Sequence, residues 1–253
     1  MAPATPTGNG GGGTRVTLPP VVLPAPHLRQ VCFPSTCVVL DLNSGKVLTL
    51  SEQAAHTVAG LLGTVGATDR FVNRPVARDI LVALIHAGVL LPGEDRRAWE
   101  GVTQGVPSSP SWGTRDSPAA LPVLPRAPLR WSALATVALL LVIVTKSGRS
   151  KHAFVRVSAL VRRHGEGTND HVVAVRAVQA VRRVGRLLPV RVACWEEAAA
   201  SYTALRWAGY RSDFRHGVAT DPVRLHAWIE VDGRPVAEQA DITDYTPFEE
   251  THE

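Results

Sequence analysis

The chain has 253 residues, 45% of them hydrophobic, and its 27 Lys and Arg against 22 Asp and Glu give a formal net charge of +5. This length and apolar content predict two domains with packed cores, whereas the basic balance alone does not distinguish an acidic peptide, a nucleic acid or a membrane as partner. Three cysteines without a CxxC pair are too few for a disulfide framework or a zinc site, so we expect no metal or other cofactor and a reducing, cytoplasmic location.

A tail and a hairpin open the chain. Residues 1–26 are rich in Pro and Gly and lack a basic segment followed by an apolar run, which predicts a flexible tail and not a secretory signal. In the run VVLDLNSGKVLTL, the residues Asn43, Ser44 and Gly45 separate two apolar stretches. This pattern predicts two antiparallel strands joined by a turn in which Gly45 is left-handed.

Two helices and a linker follow the hairpin. Ser51 is expected to cap the first helix, and the second helix is expected over residues 75–86 with its end at Gly88. Together with the hairpin, these helices define a first domain over residues 27–92. Residues 93–128 are rich in Pro, Ser, Gly and charge, which is typical of a linker.

The apolar run WSALATVALLLVIVT lies at the start of the predicted second domain. It spans residues 131–145 between Arg130 and Lys146. Because a membrane-spanning helix needs about 20 apolar residues, this shorter run favours a buried core helix. The alternative is a helix that lies against a bilayer, and we expect no membrane contact.

Two more polar helices are expected next, over residues 153–163 and 171–186. The second of them places small and apolar residues on one side and its arginines largely off that side. Those arginines are Arg176, Arg182, Arg183 and Arg186. An Arg-rich face of this kind is usually a solvated surface, and the alternative is a binding face for an acidic partner.

Cys194 lies where an extended segment meets a predicted helix. Residues 189–193 lead into CWEEAAASYTALRWAGY, which is helical by propensity and ends at Gly209. Open backbone N–H groups and the helix dipole favour a thiolate at such a position, and the same N–H groups can form part of an oxyanion hole. Glu196 and Glu197 oppose that thiolate, so a positively charged partner is needed.

The charged partner that the sequence offers is His226. It lies in VRLHAWIEV, a predicted strand over residues 223–231. Cysteine peptidases need an imidazole that takes the thiol proton and a third group that orients the imidazole. A lone cysteine is more often a packed small hydrophobe and a lone histidine a satisfied polar group, but a helix-start cysteine followed by a strand histidine favours catalysis.

The identity of the third group depends on the turn after this strand. If residues 231–233 form a type I turn whose glycine is left-handed, Glu230 pairs with Arg234. Counting back along the two strands then puts Glu238 opposite His226. A two-residue turn would instead send Glu238 to the other face. The substitutes for the orienting group would then be Gln239 and Asp241.

Four other candidate residues have ordinary interpretations. Cys32 and Cys37 lie in the first domain without a comparable context, and we interpret them as structural or incidental. His216 follows a predicted strand and Asp221 precedes a proline. For both of these residues a turn or capping role is expected.

Two segments, CWEEAAASYTALRWAGY and HGVATDPVRLHAWIEVDGRPVAE, resemble the leader peptidases of lasso-peptide biosynthesis. The similarity covers about residues 129–248, and its most specific parts are the Cys followed by acidic and small residues, the LHAW run and the separation of Cys194 from His226. The first domain is similar, more loosely, to a winged-helix precursor-recognition element. The resemblance implies an α+β protein with a winged-helix-like recognition domain and a papain- or transglutaminase-like cysteine protease domain over residues 129–253.

The same resemblance implies the site residues. In that family the recognition element captures the leader of a ribosomal precursor peptide by adding it as a strand, which is β-augmentation. The residues expected to bind the peptide are Lys46, Val47, Leu48, Thr49 and Leu50. Cys194 matches the family nucleophile and His226 the base, while Glu238 stands where many members have Asp.

We therefore expect a fused lasso B protein that binds a precursor peptide and removes its leader. An asparagine-synthetase-like macrolactam cyclase is the implied partner, and nucleic acid is not expected among the partners. Two alternatives stay open. One is a non-catalytic adaptor that presents the precursor to a partner enzyme, and the other is a transglutaminase-type enzyme that transfers the acyl group to an amine instead of water.

Overall fold

The computed structural model describes residues 17–94, 96–107, 127–147, 152–161, 167–220, 222–238 and 240–248. The first unit contains the strands β1 (Val22–Pro24), β2 (Leu28–Cys32), β3 (Cys37–Asp41), β4 (Val47–Leu50), β5 (Leu90–Pro92) and β6 (Val102–Gln104), with the helices α1 (Glu52–Leu62) and α2 (Pro75–His86). The second unit contains the helices α3 (Leu129–Lys146), α4 (Ala153–Val161), α5 (His171–Gly185) and α6 (Cys194–Trp207), with the strands β7 (Asp213–Ala219), β8 (Arg224–Val231), β9 (Arg234–Pro235) and β10 (Thr246–Pro247).

The sheet of the first unit is built on the predicted hairpin. Its strand order is β4-β3-β2-β6, and all pairs are antiparallel except β2 with β6. The Asp41 carboxylate stabilises the turn between β3 and β4 by accepting hydrogen bonds from the backbone N–H groups of Asn43 (2.7 Å) and Ser44 (3.3 Å). Gly45 has a φ of +70°. The prediction of a hairpin with a left-handed Gly45 is confirmed.

Helices α1 and α2 cover one face of this sheet. The Ser51 hydroxyl accepts a hydrogen bond from the Ala54 N–H (3.4 Å), as predicted for an N-cap. Helix α2 ends just before Gly88, whose φ is +70°. The core between the helices and the sheet includes Leu28, Val39, Leu50, Val58, Leu61 and Leu81.

The first unit is larger than predicted at both ends. Strand β1 lies within the predicted tail, yet it pairs with β5 and its Val22 is fully buried. Trp99 lies within the predicted linker, in a 3-10 helix over Arg96–Gly101, and its Nε1 donates to the Val22 carbonyl oxygen (2.8 Å). Because the indole connects both segments to the core, the first unit includes residues on both sides of the predicted boundaries at residues 26 and 93. Residues 1–16 and 108–126 lie outside the described residues.

Helix α3 is the centre of the second unit. Trp131, Leu139 and Val142 are buried against α5 and α6, as predicted for a core helix, while Val137 and Val144 are exposed. Among the described helices, α3 is the one that is long and apolar enough to cross a membrane by length and composition. A single helix of this kind is weak support for a membrane span, because core helices pass the same test.

Helices α4 and α5 follow the predicted segments, although residues 162–163 lie outside the described residues. The Asp170 carboxylate caps α5 by accepting a hydrogen bond from the Val173 N–H (3.0 Å), and the predicted apolar side of α5 is buried. Arg176 is exposed as predicted. The Arg182 side chain is only 26% exposed and is ion-paired, so the prediction of a wholly solvated Arg face is wrong at that position.

The two units share a small apolar core. The face of the first sheet that α1 and α2 leave open packs against the second unit; the buried residues of this cluster are Val31, Phe33, Val38, Leu40, Leu42, Val218 and Phe248. Phe154 of α4 packs against the same cluster, and a Cβ atom added at Gly45 would lie 2.8 Å from its ring. Both faces of the first sheet are therefore covered, and the hairpin turn lies against α4.

Cys32 and Cys37 form a disulfide between β2 and β3, where the register places them directly opposite each other. Of the two interpretations given for these cysteines, structural or incidental, the pairing supports the structural one. The bridge is a single link across a hairpin and not a framework of several bridges. Because disulfides persist mainly in oxidising surroundings, the cysteines no longer support a reducing, cytoplasmic location.

Candidate active site

Glu196 organises the start of α6, where Cys194 is the first helical residue. Its Oε2 accepts a hydrogen bond from the Ala193 N–H (3.1 Å), which satisfies one of the N–H groups that a helix start leaves open. Its Oε1 is ion-paired with Lys146 at the end of α3. The predicted opposition of Glu196 to a Cys194 thiolate is therefore offset by the charge of Lys146.

The Cys194 thiol is half-buried and is the cysteine outside the disulfide. Burial raises the pKa of this thiol, but hydrogen bonds with the His226 side chain and with the backbone N–H groups of Ala227 and Trp195 outweigh burial. The pKa of Cys194 therefore lies below that of an ordinary thiol. The thiolate, which is the nucleophilic form, is favoured at this position.

His226 lies on β8 between Cys194 and a carboxylate. Its Nε2 is 2.9 Å from Oε2 of Glu238, which leaves Nδ1 as the ring nitrogen for the thiol. Burial lowers the pKa of His226, but its interactions with Cys194 and Glu238 outweigh burial and raise the pKa to about 9. The raised pKa of the imidazole and the lowered pKa of the thiol together favour a thiolate–imidazolium pair at neutral pH.

The turn that precedes Glu238 is the two-residue one of the two alternatives that the sequence left open. Asp232 and Gly233 are both left-handed, with φ of 51° and 69°, and Val231 pairs directly with Arg234. This is a two-residue turn, so the alternative three-residue turn with its pairing of Glu230 and Arg234 does not occur.

Glu238 nevertheless reaches His226, because β9 ends after two residues. Ala237 follows with a φ of 56°, a left-handed conformation that interrupts the extended strand. The expectation that a two-residue turn sends Glu238 to the other face assumed an unbroken strand, so it does not apply here. Of the two substitutes for the acid, Gln239 lies outside the described residues and the side chain of Asp241 is not described. Among the candidates whose side chains are described, Glu238 is the one that contacts His226.

Arg182 holds the other side of Glu238, and sequence reasoning missed it. Its Nη2 donates to Oε1 of Glu238 (2.7 Å) and its Nη1 to the carbonyl oxygen of Ala237 (2.6 Å). Its Nε donates to Oε2 of Glu197 (3.3 Å). One sequence feature could have indicated that Arg182 is partly buried. It directly follows the buried Val181 and lies one turn after Val178, at the edge of the apolar side of α5.

Glu197 is the second carboxylate near Cys194, one helical turn further along α6. Burial raises the pKa of Glu197, and so does the negative charge of Glu238, while Arg182 and His226 act in the opposite direction with a smaller effect. A small cavity joins these groups, and its polar lining residues include Arg182, Cys194, Glu197, Ser201 and Glu238.

Two aromatic rings flank the imidazole. The Trp228 ring is stacked on His226, with centroids 6.0 Å apart and planes at 14°, and its Nε1 donates to Oε1 of Glu230 (2.9 Å). The Tyr245 ring lies 5.3 Å from the imidazole. A protonated imidazole over an aromatic face is favourable, so the stacked Trp228 ring supports the charged form of His226.

The predicted peptide-binding residues lie at the edge of the first sheet. Lys46, Val47, Leu48 and Thr49 are exposed, whereas Leu50 is buried in the core, so its side chain does not form part of the exposed surface. In the sheet as described, β4 pairs on one side with β3. This arrangement is compatible with strand addition but does not test it.

The hairpin geometry tells which backbone groups face outward. The Asp41 N–H donates to the Lys46 carbonyl oxygen (2.9 Å), so residues 41 and 46 are a hydrogen-bonded pair. Bonded and non-bonded pairs alternate in antiparallel sheets, and in this register the alternation directs the N–H and C=O groups of Val47 and Thr49 to the open edge. Those of Leu48 face β3.

An aromatic pair connects this hairpin with the start of α6. The Phe154 and Trp195 rings are stacked, with centroids 4.9 Å apart and planes at 7°. Trp195 directly follows Cys194, and Phe154 also lies beside Gly45 in the turn before β4. Through Phe154, the turn that precedes the edge strand β4 is therefore in packing contact with the helix start that carries the thiol.

Other sequence candidates lie away from this chemistry. His216 is a strand residue of β7 whose ring is close to Phe214 and Phe248, so the predicted turn or capping role is wrong. Asp221 lies outside the described residues. Within the described ranges, no group of three or more His, Cys, Asp or Glu side chains is arranged to hold a metal ion.

A helix-start thiol, a strand imidazole and a carboxylate on the following segment are compatible with a thiol-dependent hydrolase or acyltransferase site. Residues 137–250 match the family model of the transglutaminase-like superfamily. The C-terminal part of the chain is therefore a transglutaminase-like domain, in a family whose members are typically cysteine-dependent enzymes. No curated protein and no solved structure matches the chain.

Proposed function

We propose that this protein is a cysteine peptidase that binds a ribosomal, lasso-type precursor peptide by its leader and removes the leader. The observation that carries the proposal is the contact series from the Cys194 thiol through His226 to Glu238, at the start of a helix in a transglutaminase-like domain. The opposite pKa shifts of the thiol and the imidazole support nucleophilic use of the cysteine.

In the proposed reaction the Cys194 thiolate attacks the carbonyl carbon of the scissile peptide bond. The backbone N–H groups that the start of α6 leaves open are the candidates to stabilise the oxyanion. Protonated His226 gives its proton to the leaving amine of the core peptide, and a thioester joins the leader to Cys194. Water, deprotonated by His226, then hydrolyses the thioester and restores the thiol.

Leader binding is assigned to the open edge of β4. The outward N–H and C=O groups of Val47 and Thr49 support strand addition by a peptide. The exposed side chains of Val47 and Leu48 supply apolar contacts beside them. The partner that would use the released core peptide is the asparagine-synthetase-like macrolactam cyclase expected from the resemblance.

The family match also favours a second candidate, acyl transfer from the same thioester to an amine. Hydrolysis and transfer share every step up to the thioester and differ in their products. The adaptor alternative loses its sequence argument, because Glu238 forms the hydrogen bond to His226 that an orienting acid requires.

The test uses a precursor peptide identified from genes beside this one, incubated with the wild-type protein and with Cys194→Ala. Mass spectrometry is expected to find free leader and free core with the wild type and intact precursor with the variant. Detection of an isopeptide-linked product would show that the enzyme transfers the acyl group to an amine and does not hydrolyse the thioester. Undiminished cleavage by Cys194→Ala would refute both, and tight binding of the leader without turnover by the wild type would favour the adaptor.

A further inference from the structure

We infer that Arg182 is a positioning residue that fixes the Glu238 carboxylate against His226. The inference rests on the proposed thiol chemistry, since it assigns Arg182 a role in forming the thiolate–imidazolium pair. Arg182 does not contact Cys194 in the described hydrogen bonds, and it acts through Glu238.

The two carboxylate oxygens of Glu238 have separate partners. Oε2 is 2.9 Å from Nε2 of His226, and Oε1 accepts the Nη2–H of Arg182 at 2.7 Å. A glutamate side chain has several rotatable bonds, so a single hydrogen bond does not determine its orientation. The guanidinium supplies the second fixed point, and with both oxygens bound the carboxylate faces the imidazole in one orientation.

Arg182 also fixes the backbone that carries this carboxylate. Its Nη1 donates to the carbonyl oxygen of Ala237 at 2.6 Å, and Ala237 is the non-glycine residue with a φ of 56°. The left-handed conformation is unfavourable for alanine and needs support from its surroundings. The same guanidinium therefore stabilises both the backbone bend and the side chain that the bend presents to His226.

The charges around Arg182 give it a third role. Glu197 and Glu238 lie close enough to repel each other, since the Glu238 charge contributes to the raised pKa of Glu197. Arg182 lies between them and bonds to both. Without its positive charge, the two carboxylates repel each other and Glu238 turns away from Glu197, which weakens its bond to protonated His226.

The experiment measures the rate at which iodoacetamide alkylates Cys194 as a function of pH, by mass spectrometry of the peptide that contains Cys194. It compares the wild type with Arg182→Ala, Arg182→Lys and the control Arg176→Ala. The control removes the same charge from an exposed position of the same helix. Circular dichroism and thermal melting establish that each variant is folded, and Arg182→Lys decides the matter if Arg182→Ala does not fold.

Loss of Arg182 is expected to lower the pKa of His226, raise that of Cys194, and slow alkylation about tenfold at about pH 6. Arg182→Lys is expected to fall between the wild type and Arg182→Ala, since an ammonium restores the charge but not the fork of donors. Arg176→Ala is expected to match the wild type. An unchanged alkylation profile in folded Arg182→Ala or Arg182→Lys would overturn the inference, as would an equal effect of Arg176→Ala.

A double variant separates positioning from a general structural role. If Arg182 acts through Glu238, then Arg182→Ala in a Glu238→Gln background changes the alkylation rate less than about twofold. If the double variant instead slows alkylation by the product of the two single-variant factors, the two residues act independently and the inference is contradicted. Alkylation requires no precursor peptide, so a protein that shows the predicted profiles but cleaves no precursor refutes the proposed function and leaves the role of Arg182 intact.

Discussion

The two units of this chain present their candidate sites in different ways. The second unit depends on particular side chains, because replacing the thiol or the imidazole leaves no atom to perform the chemistry. The first unit offers the backbone edge of β4, whose N–H and C=O groups exist for almost any sequence. Variants should therefore affect cleavage and leader binding separately.

The largest expected effect is that of His226→Ala. Without the imidazole, no group accepts the thiol proton or protonates the leaving amine, and cleavage of the precursor should fall by about a thousandfold. Leader affinity, measured by fluorescence anisotropy of a labelled leader peptide, should stay within about twofold. His56→Ala, at an exposed position, is the control. A loss of leader affinity in His226→Ala as large as its loss of cleavage would show that binding and cleavage do not use separate sites.

The next effect belongs to the first unit. Thr49→Pro removes a backbone N–H that faces the open edge and leaves the bonds between β3 and β4 in place, since proline is tolerated at such edge positions. Leader affinity should fall about tenfold or more, equivalent to the loss of one or two hydrogen bonds. The alkylation profile of Cys194 should not change. Unaltered leader affinity in this variant would show that the peptide binds elsewhere.

Glu238→Gln should change the pH dependence of cleavage. His226 is protonated below its pKa of about 9, so cleavage by the wild type should fall as the pH rises through about 9 and the imidazolium loses its proton. A neutral amide stabilises the imidazolium less, so in Glu238→Gln this falling limb should move to lower pH, toward the ordinary histidine value of 6.5. Initial rates of cleavage across pH measure the shift, and identical limbs would argue against the bond between Glu238 and His226.

The smallest expected effect is that of Ala237→Gly. Glycine adopts the left-handed conformation without the steric cost that alanine has, so the free energy of unfolding should rise by up to about 1 kcal/mol. Urea denaturation measures this change, and cleavage should remain within about twofold of the wild type. A loss of stability would mean that Ala237 is not left-handed in solution.

The sequence predicted the elements that follow local rules. A helix over CWEEAAASY and a strand around His226 follow from propensity and alternation, and the Asn43–Gly45 turn follows from the conformational freedom of glycine. Strands β1 and β6 were missed because three residues provide too little periodicity, and the bridge between Cys32 and Cys37 depends on cross-strand geometry.

Two features of the site were beyond sequence reasoning for a different reason. Contact of Glu238 with His226 was expected only if the turn had three residues, but the turn has two, and the contact arises instead from the left-handed Ala237, which no residue pattern indicates. Arg182 looked like its exposed neighbours on α5, since the distance to Glu238 depends on how α5 packs beside the sheet. Long-range packing determines both contacts.

The most direct test of the central claim is detection of the thioester between the leader and Cys194. The wild-type protein and the precursor are mixed, quenched with acid early in the reaction and examined by mass spectrometry. The account predicts an adduct with the mass of the leader on the peptide that contains Cys194, and its absence in Cys194→Ala. Cleavage of the precursor by Cys194→Ala at the wild-type rate, with no adduct on the wild type, would contradict it.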